Sequence, residues 1–78
     1  MINNNVINII REEKPYGFEV NNNGGTIRYI EHLALKRDSI DFPTRQDIID
    51  TINSMIISGE IIISGYYDNN ILYKYVGD

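Results

Sequence analysis

The chain has 78 residues, no cysteine and a formal charge of −4, which limits it to one domain and excludes disulfides and thiolate metal sites. The acidic balance excludes the basic surplus from which free-standing nucleic-acid binders draw most of their non-specific affinity. No stretch approaches the roughly 20 apolar residues of a membrane span, and Met1 to Asn5 lack the basic start and apolar run of a secretory signal, so the expectation is a cytoplasmic protein without a membrane partner.

A domain this short needs a core dense in large apolar groups, and sixteen isoleucines provide one. The first element starts at Asn3, Asn4 and Asn5, each able to cap a helix. Val6, Ile9 and Ile10 follow at i, i+3, i+4, with Ile7 widening the stripe. The same run read as a strand puts apolar groups on both faces, so helix and strand both stand, with periodicity favouring the helix. Pro15 ends the element. Gly17 to Val20 reads as a brief strand with Phe18 and Val20 on one side. Asn21 to Gly25 is a turn of residues that tolerate positive φ.

Thr26 is the expected cap of a second helix, with Ile27, Ile30, Leu33 and Ala34 on its apolar side and Arg28, Glu31, Lys36 and Arg37 mostly opposite. Asp38 to Pro43 connects it to the next element, with Ile40 and Phe42 expected to turn inward. Thr44, with Asp47 three residues on, is a variant capping box. Ile48, Ile52, Met55 and Ile56 give the third helix its apolar face, and Gly59 supplies a left-handed cap. Beyond it, Glu60 to Tyr67 and Ile71 to Val76 are rich in β-branched and aromatic residues, with Asp68-Asn69-Asn70 as the hairpin turn.

The order helix, short strand, helix, helix, hairpin resembles the winged-helix variant of the helix-turn-helix family. The segment from Thr44 through Ile56, then Gly59-Glu60-Ile61 and the aromatic return strand Leu72 to Val76, carries the resemblance. It implies an α+β fold of three helices, a short strand and a C-terminal β-hairpin spanning residues 1–78. It further implies a third helix that enters the major groove of double-stranded DNA. On that basis Arg45, Gln46 and Asn53 are candidates for base contacts, and Arg28, Lys36, Arg37 and Lys74 for phosphates. Asp47 and Asp50 share the helix, the wing tip carries no cation, and Lys74 is the one base in the hairpin.

Tyr66, Tyr67, Tyr73 and Tyr75 crowd the hairpin. At least two are expected in the core, and the others can form a contact surface. Ile61, Ile62 and Ile63 put apolar groups on both strand faces, one expected in the core and the other pointing to a homodimer contact or to cover from the chain ends. Tyr66, Tyr67 and Ile62 are therefore the candidate protein-interaction residues. His32 stands alone, without a ligand set for a metal. Gly24-Gly25 lacks the spacing of a phosphate loop, and no nucleophile, base and orienting group can be assembled. The expectation is thus a non-enzyme without cofactors. A dimeric DNA-binding regulator leads, and a module that binds a host protein is the rival. The weighting towards Ile, Asn and Tyr suits an AT-rich genome, and a short frame of that kind fits a virus or mobile element.

Overall fold

The computed structural model describes residues 1–77, with three helices on one side of a three-stranded antiparallel sheet. Helix α1 (Asn4–Glu13) is a helix because Asn3 caps it, its side chain accepting from the Val6 N–H at 3.1 Å. Val6, Ile9 and Ile10 then fall on one buried face, which excludes the strand alternative. Lys14 takes a left-handed conformation (φ 48°) and donates to the Ile10 carbonyl, and Pro15 bars continuation.

Strand β1 (Tyr16–Phe18) begins and ends earlier than Gly17 to Val20. It pairs with the hairpin through a bulge at Gly17 (φ 68°), Tyr16 standing opposite Lys74 and Phe18 opposite Tyr73. Val20 lies past the strand but still packs on the core. The following turn uses no positive φ, against expectation. Instead the Asn21 side chain accepts from the Asn23 N–H and the Asn21 carbonyl from the Gly24 N–H. That turn delivers Gly24 as the N-cap of α2 (Gly25–Arg37), so Thr26 sits inside the first turn and caps nothing. Ile27, Ile30 and Ala34 are buried as expected.

The connector departs most from the sequence reading. The Asp38 carboxylate accepts from the N–H groups of both Ile40 and Asp41. The chain turns outward there, leaving Ile40 93% and Phe42 50% exposed, and Pro43 is buried in their place. Helix α3 (Arg45–Ile57) has the full reciprocal box, with Thr44 and Asp47 each accepting the other's backbone N–H at 3.1 Å. Ile48, Thr51, Ile52 and Met55 are buried, and Gly59 (φ 86°) ends the run.

Strands β2 (Ile61–Tyr67) and β3 (Asn70–Tyr75) are joined by Asp68 and Asn69, both at positive φ, a two-residue turn that matches strand twist. Asn70, expected in the turn, already pairs with Tyr67. The sheet order β1-β3-β2 leaves β2 at an edge. Ile63 faces Tyr73 but Gly65 faces Leu72, so Ser64 is an extra residue bulged out of the ladder. The bulge reverses the alternation. Ile61, Ile63 and Tyr66 share the helix side with Tyr75, Tyr73 and Ile71, while Ile62 and Tyr67 share the far side.

Two polar ties hold the layers in register. The buried Thr51 hydroxyl accepts from the Asn3 N–H at 2.9 Å and donates to the Asp47 carbonyl at 2.8 Å, joining α1 to α3. Arg11 grips Glu60 with two bonds of 2.9 and 2.8 Å, and the Tyr75 hydroxyl donates to the same carboxylate at 3.2 Å. The element order is the expected one of helix, short strand, helix, helix and hairpin, a small α+β fold, and the short strand joins the hairpin in one sheet.

Candidate functional site

The heptad spacing of α3 buries Ile48, Ile52 and Met55 and therefore turns Gln46 and Asn53 outward, where both are exposed. Beside Asn53, the helix, the segment after β1 and the tip of the hairpin enclose an open groove of about 400 Å³. Helix α3 contributes Ile49 and Asn53 to it, and the hairpin contributes Asn69, Asn70, Ile71 and Tyr73. Glu19, Val20 and Asn21 close the third side, with the Asn21 amide donating to the Glu19 carboxylate at 2.8 Å. The lining is thus one carboxylate, several amides and a few apolar groups, with no cation.

The basic side chains expected at nucleic acid are mostly engaged elsewhere. Arg45 donates to Glu31 at 3.1 Å and to the Asn22 carbonyl at 3.2 Å. Gln46 donates to Asp50 at 2.9 Å. Arg37 is paired with Glu12 on α1. Lys74 lies over the Tyr16 ring, 5.5 Å from its centre, on the sheet face turned from the helices. Arg28 and Lys36 are exposed on α2 and make no ion pair among the described residues. The structure therefore brings Arg45, Gln46 and Asn53 together on α3, but Arg37 and Lys74 point to α1 and to the far sheet face.

Asp47 and Asp50 meet the Met1 ammonium at 3.0 and 2.6 Å. That contact raises the ammonium pKa, chiefly through Asp50, and lowers both carboxylates below their usual range. Thr44 and Gln46 reinforce the lowering at Asp47 and Asp50 respectively. Both carboxylates therefore stay ionised at neutral pH, with the Met1 ammonium as their counter-charge.

On the hairpin, Tyr75 is buried and Tyr73 packs on the core, its ring 6.2 Å from that of Phe18. Tyr66 and Tyr67, on opposite faces of β2, are each 72% exposed, and Ile62 is exposed nearer the other end of the strand. His32 is an exposed residue of α2. Among the described residues no group of three His, Cys, Asp or Glu is placed to hold a metal, and no helix is long and apolar enough to cross a membrane.

Sequence reasoning missed Glu19, Asn69, Asn70 and Ile71 as groove residues. Periodicity places residues on faces, but the groove arises from three segments far apart in the chain. Comparison with known proteins gives no match: no protein-family profile, no curated protein and no solved structure matches the chain significantly.

Proposed function

We propose that this chain is a winged-helix module that docks a protein partner in the groove between α3 and the hairpin. The observation that carries this reading is the groove lining, which holds Glu19, amides and apolar side chains but no cation. A phosphate backbone needs unpaired Lys or Arg along its path; Arg37 and Arg45 are paired with carboxylates, and Arg28 and Lys36, which carry no ion pair among the described residues, lie on α2 and not in the groove. Charge complementarity assigns the partner a Lys or Arg side chain at the contact. Binding rather than catalysis is the activity that this set of groups supports.

One observation favours the rival reading, a DNA-binding regulator. The outward side of α3 is open, with Gln46 and Asn53 exposed on it, and amide side chains are suited to adenine edges. The variant Asn53→Arg separates the two with opposite signs. A protein partner with a basic contact is expelled by a cation set in its groove, whereas duplex DNA gains one. The measurement is capture of a stoichiometric, nuclease-resistant partner from lysate, run beside a salt titration against a random duplex pool. Loss of partner capture in Asn53→Arg, with duplex binding weak in both forms, supports docking. Duplex binding by the wild type that falls steeply with salt and strengthens in Asn53→Arg would overturn it.

A further inference from the structure

We infer that the free edge of β2 is a self-association surface, along which two copies of this chain pair antiparallel to join their sheets into one of six strands. None of its side chains lines the groove, although Ile63 and Tyr66 stand beside the groove residues Tyr73 and Ile71 on the neighbouring strand. Strand β2 ends the sheet order β1-β3-β2, so among the described residues one side of its backbone has no ladder. Edge strands are normally blunted by charge, proline or brevity. Strand β2 is seven residues, Ile-Ile-Ile-Ser-Gly-Tyr-Tyr, without a charge or a proline. Its four large exposed side chains are Ile62 (41%), Ile63 (47%), Tyr66 and Tyr67 (both 72%).

The bulge determines which register is self-complementary. Residues directly opposite in an antiparallel pair share a sheet face. Because Ser64 reverses the alternation, Ile63 and Tyr66 lie on the helix side while Ile62 and Tyr67 lie on the far side. A two-fold axis between Ser64 and Gly65 sets Ile62 opposite Tyr67 of the second copy and Ile63 opposite its Tyr66. Both pairs match a β-branched residue with an aromatic one, a favoured cross-strand combination. The smallest side chains, Ser64 and Gly65, fall at the axis, where the bulged backbone needs room. The next pair sets Asp68 opposite Ile61, so no carboxylate meets another.

The four side chains expose on the order of 500 Å² per copy, so pairing buries at most about 1,000 Å² in all, at the lower bound of a specific interface. That area fits a reversible dimer whose population follows concentration. Each copy carries −4, so salt screens the long-range repulsion and tightens the pair, opposite to its effect on DNA binding.

Sedimentation velocity over a concentration series tests the edge and its register. The wild type is expected to dimerise reversibly in the micromolar range, more tightly as salt rises. Tyr66→Glu is expected to raise the dissociation constant about tenfold or more, by placing a carboxylate against Ile63 of the other copy. Combining it with Ile63→Lys creates two opposite-charge pairs across the axis and is expected to recover most of the loss. Both positions are exposed, and a thermal midpoint near that of the wild type verifies that each variant is folded. A wild type that stays monomeric into the hundreds of micromolar, or a folded Tyr66→Glu that dimerises as before, overturns the proposal. A double variant no tighter than Tyr66→Glu alone overturns the register.

Discussion

The Thr51 hydroxyl serves two backbone groups at once, the Asn3 N–H and the Asp47 carbonyl. Thr51→Val keeps the shape and removes both bonds, leaving a partly buried N–H unpaired. The expected loss is about 1–2 kcal/mol in urea unfolding, while Thr51→Ser retains the hydroxyl and loses less. Glu60 offers a pH-dependent test. Arg11 foremost, then Tyr75, lower its pKa in the folded protein. A carboxylate with a depressed folded pKa contributes stability above its unfolded pKa, and the contribution vanishes as pH falls through the folded value. Thermal midpoints of wild type and Glu60→Gln are therefore expected to differ at neutral pH and to converge in acid. Neither residue announces itself in the sequence. Thr51 and Glu60 owe their roles to partners 48 and 49 positions away, beyond the reach of helical or strand periodicity.

At the scale of elements, legibility followed the strength of the local code. Thr44 with Asp47, the Ile48–Ile52–Met55 stripe and Gly59 located α3 to within a residue. The start of α2 was displaced because a side-chain turn at Asn21 positioned Gly24 as the cap, where Thr26 offered the better side chain. Hydrophobicity alone puts Ile40 and Phe42 inside, but the turn closed by Asp38 sends that connector outward. The hairpin turn was legible from composition, and its geometry makes a sharp prediction. Asn69 sits at φ 67°, which asparagine and glycine tolerate and a β-branched residue does not. Asn69→Val is expected to cost about 1–2 kcal/mol in chemical denaturation, and Asn69→Gly to cost nothing measurable.

For the molecule as a whole, the three-stranded sheet and its layer of helices followed from the order of elements, because each amphipathic face has one shared core to bury against. The groove did not, since its walls come from the loop after β1, the middle of α3 and the hairpin tip. The tie between α1 and α3 has a consequence for how the assembled fold breathes. Asn3 stands ahead of the first helical turn, where main-chain protons ordinarily trade with solvent almost at once. Its proton instead ends on a hydroxyl that is sealed within the interior. In heavy water, two-dimensional NMR is expected to show the Asn3 signal decaying on the slow clock of mid-α3 amides, long after those of Asn4 and Asn5 have gone.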